Sequence, residues 1–503
     1  MAFSFSSDYV SDYVSEYLPS FNSPRYRRQV FDDSGKQYFS LYPSRTSYKM
    51  FLKGQGRRWP LFLALTVFIC TLIYFQKQLV NLPLPRIHST LTSTTSTIGN
   101  PSNVDTPLNE DGTKTHIEVY SVSTKDRKYF HVHFGGHKTA ANTNIIPHPH
   151  WNDTFIIVAQ KPPSKIPRTV WFAELVCNAQ FNPKNGIMEC IEPPAILPIA
   201  ATTGDRCNGG KIDYFSNLVG PHDARVFYGP KNPYVIYGSN GIQTACLAQW
   251  IEDFRLLVDW GTEEYEENKF RVGTELHRPE GKYMDMEKNF FAFWDKDGNM
   301  YTHYDIHPKR VFAKVEHDGT VGPDLAPLAE PLDSKCMAVR MPKLVNTKQE
   351  HLHQATNSLS ITMCKRADPN CKAEESNTFV FILFQYKSYF DFHGQYEPYV
   401  MIFSQQPPFQ ILGISNKPIW IYGRGGPGTG KKPQGLGKKE AARWTQTEML
   451  YVTSMSWKER GRKYHGFLDD VLFLGFGIED EVAGGIDIVA GDLFVDMGSC
   501  FGT

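Results

Sequence analysis

From about residue 115 to residue 497 the chain alternates short apolar runs with clusters of Gly, Pro, Asn and Asp. The runs are rich in β-branched and aromatic residues, which is typical of strands between tight turns. Roughly twenty such runs match a β-propeller of about five four-stranded blades. A pair of β-sandwiches would use the same strands, but no linker divides the region. We therefore predict an all-β, five-bladed propeller, with one helix at most, over Gly437–Gln446.

An uninterrupted apolar run of 17 residues, Trp59–Phe75, precedes this region. Such a run is at the short end of what spans a bilayer, and a buried core helix is the alternative interpretation. Arg57 and Arg58 abut its start, whereas few basic residues follow it, so the positive-inside rule places the N-terminus in the cytosol. We expect a single-pass type II protein of the Golgi or another secretory-pathway membrane, whose thin bilayer suits the short span.

The pattern divides the chain into four segments. We predict a disordered cytosolic tail at residues 1–58, because this segment is polar and opens with a short near-repeat. A transmembrane signal-anchor helix follows at 59–80, and a stem rich in Ser, Thr and Pro at 81–115. Residues 116–503 form the lumenal domain.

Composition changes this picture in one respect. The chain carries 53 Lys and Arg residues and 53 Asp and Glu residues, for a formal net charge of zero. Nucleic acid binding needs a basic surplus, so we expect no nucleic acid partner. The aromatic share of 14% favours strands and sugar-binding clefts alike.

The cysteines fit an oxidising compartment. One of the nine lies in the apolar run and eight lie beyond it, which permits four disulfides. We predict the pairs Cys177–Cys190 and Cys364–Cys371, because each pair flanks a turn. None of the cysteines has the spacing of a zinc site, so we expect no structural zinc. Asn152 begins the sequon accepted here for N-glycosylation.

The segment Gly220–Gly238 (GPHDARVFYGPKNPYVIYG) predicts a β-hairpin with strands Arg225–Tyr228 and Tyr234–Tyr237. Asp223 and Arg225 stand at its leading end, and strand alternation places both on one face. There the arginine is able to orient a carboxylate-bound ligand. A structural salt bridge between Asp223 and Arg225 is the alternative.

Three further polar strings lie at the ends of other predicted strands. His148 and His150 precede DTFIIVAQ, Lys288 and Asn289 lead into NFFAFWD, and Asp480 follows DVLFLGFGI. In a propeller the inner strands surround a central pocket, so polar groups at their ends converge although they are distant in sequence. The two histidines share one strand face and would suit a metal, but without a matching carboxylate string we prefer sugar contact or a structural role.

Two motifs resemble metal or nucleotide sites, and local structure explains each better. Asp295–Asp297 is a DxD string, but it stands between two predicted strands, where a hairpin turn is expected. Gly423–Gly428 satisfies GxGxxG, yet no βαβ unit surrounds it and Pro427 breaks a helix start. We expect a flexible basic loop at Arg424–Lys439, able to swing over a phosphate or nucleotide.

Taken together, the polar strings resemble the five-bladed β-propeller family of β-mannoside phosphorylases and related mannosyltransferases. GPHDAR is similar to the Glu-Asp-Pro-Arg motif of that family, EKNFFAF…YDIHP to its Lys-Asn string, and GFGIEDEVAGGIDI to its closing Tyr-Gly-x-x-Asp strand. The resemblance implies that Asp223 is the catalytic acid or base. It also implies substrate-binding positions at Arg225, Lys288, Asn289 and Asp480.

The resemblance covers about residues 140–495 and has departures. His222 stands where the family has Glu, and Ala224 where it has Pro. The membrane anchor, stem and cysteines are foreign to bacterial phosphorylases. They indicate a fungal-type Golgi form, similar in outline to fungal β-mannosyltransferases.

The resemblance and the architecture together predict a Golgi glycosyltransferase, a mannosyltransferase that acts on glycan or mannoside acceptors. A carboxylate would serve as acid or base in a single displacement, with basic groups such as Lys288 and Arg225 against the leaving phosphate. The alternatives are a non-catalytic glycan- or protein-binding propeller, and a glycoside hydrolase or phosphorylase. We predict no cofactor beyond a sugar-phosphate or nucleotide-sugar donor, and no divalent metal.

Overall fold

The computed structural model describes Pro107 and residues 113–500, except 136–138, 167–168, 203, 205, 209–211, 261–268, 391–392, 433–436, 438–440 and 442, and the backbone of two strands near the N-terminus. The chain divides into two compact units, Met1–Pro101 and Ser102–Thr503. The predicted span Trp59–Phe75 and most of the tail and stem lie outside the described residues. Within the described part, no helix combines the length and apolar character needed to cross a membrane.

In the first unit, two short strands pair antiparallel, β1 (Gln29–Phe31) and β2 (Gln37–Phe39). The second unit is built mainly of strands, as the apolar runs predict. Their bounds are β3 Ile117–Val119, β4 Phe130–His133, β5 Ala141–Pro147, β6 Phe155–Gln160, β7 Ser164–Ile166, β8 Thr169–Trp171, β9 Glu174–Asn182, β10 Ile187–Cys190, β11 Ala195–Ile196, β12 Leu218–Val219, β13 His222–Tyr228, β14 Pro233–Asn240, β15 Leu247–Asp253, β16 Thr274–Glu275, β17 Phe291–Trp294, β18 Met300–Asp305, β19 Val311–Lys314, β20 Glu350–Gln354, β21 Leu359–Thr362, β22 Thr378–Phe390, β23 His393–Ser404, β24 Ile411–Ser415, β25 Ile419–Ile421, β26 Leu450–Trp457, β27 His465–Phe467, β28 Val471–Ile478, β29 Val482–Val489 and β30 Met497–Ser499.

Helical structure with described bounds is limited. It consists of the α-helix α1 and of 3₁₀ turns at Asp213–Asn217, Phe254–Leu256, Pro279–Gly281 and Ala490–Phe494. Helix α1 spans Ala326–Arg340.

The strands form four principal sheets, each named here by one strand or by its size. The β13 sheet has the order β13-β14-β15-β16, and the β17 sheet the order β17-β18-β19. The β22 sheet has the order β27-β21-β22-β23-β24-β30, with β20 also on β22. The nine-stranded sheet has the order β26-β28-β29-β4-β10-β9-β6-β5, with β11 on β9. Two smaller sheets have the orders β12-β8-β7 and β25-β3.

The nine-stranded sheet joins the beginning of the domain to its end. Strand β4 pairs antiparallel with β29 on one side and parallel with β10 on the other. The two edge strands of this sheet, β26 and β5, also meet, because Thr453 Oγ1 and Ser454 Oγ donate to the Thr143 carbonyl over 3.0 and 2.8 Å. The sheet is therefore nearly closed on itself.

One large apolar cluster lies where the four principal sheets meet. Phe227, Ala292, Leu383 and Leu474 belong to it, one from each sheet, and all are buried. Alternate residues of the same strands pack into separate clusters, two between neighbouring sheets and one within the nine-stranded sheet. The inner ends of strands from all four sheets are thereby held close to one another.

Helix α1 was not predicted, because its sequence (APLAEPLDSKCMAVR) contains Pro331 and little apolar periodicity. Polar and covalent contacts hold it instead. Asp333 accepts from Arg310 Nη1 over 2.7 Å and from the Ile411 amide over 2.8 Å, and Cys336 is bonded to Cys500. Hydropathy alone cannot detect a helix that is anchored in this way.

The predicted helix Gly437–Gln446 lies partly outside the described residues, and its last part is wrong. Trp444–Gln446 has no helical structure. The Gln446 carbonyl instead accepts from the amides of Gly428 and Gly430, both over 3.0 Å, which draws this segment against the preceding loop.

Four disulfides link the eight cysteines of the second unit. Cys177–Cys190 and Cys364–Cys371 are the two pairs predicted from their turns. The other two are Cys207–Cys246 and Cys336–Cys500, which close longer loops.

Candidate active site

Asp223 is the second residue of β13, in the hairpin that the sequence predicts. The pairing of β13 with β14 slips between His222 and Arg225, and Asp223 has a φ of 55°. A bulge of this kind re-aims a side chain away from regular alternation. The Asp223 amide donates to Gln160 Oε1 over 2.9 Å, and its carboxylate accepts from Asn142 Nδ2 over 2.7 Å. Gln160 therefore holds the backbone of Asp223, and Asn142 holds its half-buried carboxylate.

Arg225 does not form the alternative salt bridge with Asp223. Its Nη1 donates to the Asp223 carbonyl over 2.8 Å, and its Nε to the Ala355 carbonyl over 3.2 Å. The residue is only 4% exposed, and its guanidinium lies 6.0 Å from the centre of the Tyr451 ring. Arg225 thus supports the backbone of the bulge and contributes positive charge beneath the carboxylate.

The predicted residues Lys288 and Asp480 reach the same place from other sheets, and Asn289 follows Lys288 in the chain. Lys288 and Asn289 immediately precede β17, and Asp480 lies in the turn between β28 and β29. The charge of Lys288 acts on Asp223, and the charge of Asp223 acts on Asp480. The convergence expected from strand ends is therefore present for Asp223, Lys288 and Asp480.

Other polar side chains complete the cluster. Lys387 Nζ lies 4.2 Å from the centre of the Tyr389 ring and 4.9 Å from that of Tyr396. The Tyr396 ring in turn lies 4.6 Å from the Tyr451 ring. We call the following set the central cluster: Asn142, Glu174, His222, Asp223, Arg225, Lys288, Asn289, His353, Lys387, Tyr389, Tyr396, Tyr451 and Asp480.

The pKa values of the two aspartates of the central cluster are shifted in opposite directions. Burial works against the charge of Asp223, but the electrostatic effects of Lys288, His222 and Arg225 outweigh it and lower the pKa of this carboxyl. Burial and the negative charge of Asp223 raise the pKa of Asp480, although Lys387 opposes them. Neighbouring carboxyls whose pKa values are pushed apart are a recurrent arrangement in acid–base catalysis.

The pKa values of two basic groups of the central cluster are shifted as well. Burial lowers the pKa of Lys387 to about 8, with Asp480 opposing and Lys288 adding to the shift. Burial, Lys387, His351 and Lys288 lower the pKa of His353 to about 4. His353 Nε2 is buried, and no described group hydrogen-bonds it. The cluster therefore carries a neutral imidazole beside two lysines, one of which titrates just above neutral pH.

Glu174 lies directly beneath the bulge, at the start of β9. It is fully buried, and its Oε1 accepts from the Ala224 amide over 3.2 Å. Burial and the charge of Asp223 raise the pKa of Glu174 to about 8, against the backbone hydrogen bond and Arg225. Glu174 is therefore protonated at neutral pH and holds the backbone next to Asp223 as a neutral acid.

Backbone strain is concentrated in this cluster. Among the described residues, ten that are not glycine have a positive φ, and four of these are Asn142, Asp223, Asn289 and Asp480. Asn and Asp adopt this region more readily than other residues, but at a cost that persists only where the surroundings impose it. Such strain occurs preferentially at active and ligand-binding sites.

His148 and His150 lie elsewhere, at the end of β5 opposite to Asn142. Six residues of extended chain separate Asn142 from His148, which is about 20 Å. His148 is buried, stacks on Trp151 at 4.2 Å, and accepts from two backbone amides through Nδ1. His150 Nε2 is 2.8 Å from the Trp260 carbonyl. These contacts are those of a structured turn, and neither histidine belongs to the central cluster. Asn152 lies in the same turn and is exposed.

The DxD string has the geometry of a hairpin turn. Asp295 accepts from the amides of Asp297 and Asn299 over 3.0 and 2.8 Å, and also from Asn299 Nδ2 and Tyr301 Oη. Across the described part of the chain, no group of three or more His, Cys, Asp or Glu side chains is placed to hold a metal ion.

The expected basic loop Arg424–Lys439 is anchored at its start. Arg424 is buried and pairs with Glu397 through Nη1 and Nη2 over 3.0 and 3.2 Å. The Lys431 amide donates to Glu479 over 3.1 Å, and its side chain pairs with Glu481. Arg424 is therefore part of the core, and the described start of the loop lies against the turn that carries Asp480.

Sequence reasoning missed several members of the central cluster. Glu174 is a lone acid at the head of an apolar strand, and Lys387 and Tyr389 stand beyond the apolar part of β22. A signal for Glu174 existed, because a charged residue inside a strand buried on both faces requires a partner or a shifted pKa.

No family model and no curated protein sequence matches the chain. Among solved structures, it is similar to a β-1,2-mannobiose phosphorylase from Listeria innocua in complex with β-1,2-mannobiose, at 12% identity and a TM-score of 0.36, over 71% of this chain and 90% of that one. It is also similar to a GDP-Man-dependent mannosyltransferase from Leishmania mexicana, at 9% identity and a TM-score of 0.32, over 72% and 88% of the two chains.

A third similar structure is the arabinanase Arb43A of Bacillus subtilis, at 8% identity and a TM-score of 0.29, over 69% of this chain and 94% of that one. All three neighbours are carbohydrate-active enzymes. All three TM-scores are below 0.5.

Proposed function

We propose that the chain is a sugar-transferring enzyme, a mannosyltransferase, with the central cluster as its active site. The observation that carries this proposal is the pair Asp223 and Asp480. They come from different sheets, their pKa values are displaced in opposite directions, and lysines and tyrosines surround them. Perturbed titratable groups held together by several elements are characteristic of catalytic sites.

The proposed reaction is a single displacement in which Asp223 is the base. Its lowered pKa keeps it ionised at neutral pH, which is the state that accepts a proton. An acceptor sugar hydroxyl gives its proton to Asp223 as its oxygen bonds to the anomeric carbon of the donor. The bond from that carbon to the donor phosphate breaks, and the electron pair leaves with the phosphate. Because the acceptor oxygen attacks one face of the anomeric carbon and the phosphate leaves from the opposite face, the configuration of that carbon is inverted.

The lysines of the cluster suit the leaving group. Lys288 and Lys387 act electrostatically on the two aspartates, so their charge is within reach of a phosphate that leaves the same centre. Fixed cations aimed at developing negative charge stabilise the transition state more than the ground state. The Tyr389, Tyr396 and Tyr451 rings offer flat faces and hydroxyls to the sugars.

We propose a five-bladed propeller for the lumenal domain. The β13, β17 and β22 sheets supply three consecutive blades, and the nine-stranded sheet supplies two, β5-β6-β9-β10 and β26-β28-β29-β4. The pairing of β4 with β29 would close the ring by combining both ends of the domain in one blade. Strands from successive blades would then surround the central cluster.

We further propose that the domain is lumenal and is carried by the apolar run Trp59–Phe75 in a Golgi or other secretory-pathway membrane. The four disulfides support an oxidising compartment. Protease protection in intact microsomes tests this orientation. Digestion of the domain without detergent, together with an unmodified Asn152, would contradict it.

The activity is tested with the full-length protein in detergent. We expect a longer saccharide when mannobiose or mannotetraose is supplied together with either GDP-mannose or mannose 1-phosphate, detected by mass spectrometry. Shortening of mannotetraose in phosphate buffer without a donor would instead favour a phosphorylase. Binding of mannotetraose without any turnover would favour the non-catalytic alternative.

A further inference from the structure

We propose that a cavity at the strand ends opposite to the central cluster binds a neutral oligosaccharide. The cavity has a volume of about 660 Å³, within the range of small-ligand sites. The inference does not depend on the proposed catalytic function.

The position of the cavity follows from the strands. Its wall includes Pro230, in the turn that ends β13, and Asp295, in the turn that ends β17. Asp223 and Asn289 stand at the other ends of the same strands. Six residues separate Asn289 from Asp295, a distance of about 20 Å in extended chain. A ligand in this cavity is therefore remote from the proposed catalytic centre.

The charges in the cavity wall nearly balance. Four cationic side chains, Lys296, Arg366, Arg462 and Lys463, face three carboxylates, Asp295, Glu374 and Glu375. His465 also lines the wall, and burial together with Arg366 and Arg462 lowers its pKa, so it is neutral at neutral pH. A wall of this kind does not select strongly for a charged ligand, because neither sign dominates.

Ser360 gives the cavity an unfilled hydrogen-bonding group. It lines the wall, its residue is 1% exposed, and none of the described groups hydrogen-bonds its Oγ. A buried hydroxyl without a partner destabilises a protein, whereas a ligand hydroxyl at this point would satisfy it. The neighbouring buried Ser358 differs, because its Oγ donates to the Ala292 carbonyl over 2.7 Å and lies 2.9 Å from Tyr464 Oη.

The remaining polar groups are planar and partly fixed. Arg366 donates from Nε and Nη2 to both oxygens of Asp470 and stacks at 4.0 Å on Phe467, yet 37% of its side chain stays exposed. Gln405 and Gln406 also line the wall and are half-buried. Amide, carboxylate and guanidinium groups offer paired donors and acceptors, which match the adjacent hydroxyls of a sugar.

The test is amide hydrogen exchange on the full-length protein with linear mannotetraose, cellotetraose and laminaritetraose at millimolar concentration. We expect at least one of them to protect residues 403–406 and 461–465, and Asp223→Asn to leave this protection unchanged. Failure of all three, or protection restricted to 387–389 and 478–482, overturns the proposal. Equal protection by inorganic phosphate also overturns it.

Two matched variants complete the test. Ser360→Ala should weaken saccharide binding about fivefold, the value of one hydrogen bond, and should raise the melting temperature without ligand. Ser358→Ala, which loses satisfied hydrogen bonds, should lower the melting temperature. Unchanged affinity in Ser360→Ala, or a fall in its melting temperature equal to that of Ser358→Ala, contradicts the assignment of Ser360 to a ligand.

Discussion

Asp223 and Asp295 are aspartates at opposite ends of neighbouring sheets, and their surroundings differ sharply. A carboxylate offers about four acceptor positions. Asp295 receives four hydrogen bonds, all from residues of its own hairpin. Among the described residues, only Asn142 hydrogen-bonds the Asp223 carboxylate, while Lys288, His222 and Arg225 act on it by charge. Asp295 is saturated, whereas Asp223 retains capacity for a ligand.

The difference shows that the hydrogen-bond partners of a carboxylate distinguish a structural role from a catalytic or binding role. Asp295 belongs to the more familiar sequence motif, but its hydrogen bonds are used to hold a turn. Asp223 sits in a less familiar string, and its strained backbone is supported by Gln160, Glu174 and Arg225 from below. A backbone held in place by neighbouring residues, with carboxylate acceptor positions still unused, is the arrangement expected of a preorganised site.

The largest expected effect is the difference in turnover between variants of Asp223 and of Asp295. Asp223→Asn should lower turnover by about a hundredfold to ten-thousandfold, because the amide cannot accept the proton, while the melting temperature changes little. Asp295→Asn is the matched control, and it should keep turnover but lose about 1–3 kcal/mol of stability, because a buried acceptor is replaced by a donor. Turnover and thermal unfolding should be measured on both variants. Full turnover in Asp223→Asn would remove Asp223 from the mechanism.

Glu174, which supports the backbone next to Asp223, should make the stability of the fold depend on pH. Its pKa is about 8 in the folded state and near 4.5 when unfolded, so between these values the folded protein keeps a proton that the unfolded chain loses. This proton stabilises the fold fully below pH 4.5, and its contribution is lost as pH rises through 8. Glu174→Gln cannot titrate, so its stability relative to wild type should rise by about 4 kcal/mol between pH 4.5 and 8. Urea unfolding at both values measures this change, with the exposed Glu481→Gln as control. Parallel pH profiles for Glu174→Gln and wild type would contradict the prediction.

Lys387 should set an alkaline limit on activity. Because its pKa is about 8, its charge is lost as pH rises past that value, and kcat/KM should fall in parallel. Lys387→Arg keeps the charge and should abolish this limb. Lys387→Met should lower kcat/KM about tenfold at pH 7, which is the worth of about 1.4 kcal/mol. An alkaline limb that persists unchanged in Lys387→Arg would assign it to another group.

The smallest effect is expected at the other end of β5. His150→Ala removes a contact to the Trp260 carbonyl, so a stability loss of about 1 kcal/mol is expected, with kcat/KM within twofold of wild type. Steady-state kinetics and thermal unfolding measure both quantities. A tenfold loss of kcat/KM would show that this turn contacts the substrate after all.

The sequence predicts the strands well where apolar runs alternate with turn residues, as in the hairpin of β13 and β14. It fails where polar residues occupy strands for other reasons. Strand β5 (ANTNIIP) was missed because its first residues are polar, and these include Asn142, the hydrogen-bond donor to Asp223. Strand β22 continues to Phe390, beyond its apolar part, so Lys387 and Tyr389 fell outside the predicted strand and were not identified as candidates.

The candidate site was predicted in part for a related reason. Asp223, Lys288, Asn289 and Asp480 stand next to apolar strands, so their convergence follows from the ends of those strands. The role of Arg225 depends on a bulge that alternation does not reveal, because the extra residue turns its guanidinium towards backbone carbonyls. His148 and His150 were predicted from their position before β6, and because β5 was missed, the sequence did not show that they lie at the opposite end of β5 from Asn142.

The insertion of β4 between β29 and β10 has a consequence for how the protein is made. Synthesis produces β4 and β10 early, but the partner of β4 on its other side emerges only with the final residues of the domain. Until then one edge of β4 is open, and the turn that carries Asp480 does not yet exist. During synthesis the nascent chain therefore has an unpaired strand edge, which can associate with other chains or with chaperones. The proposed active site and protection from aggregation are therefore completed together, when β29 pairs with β4.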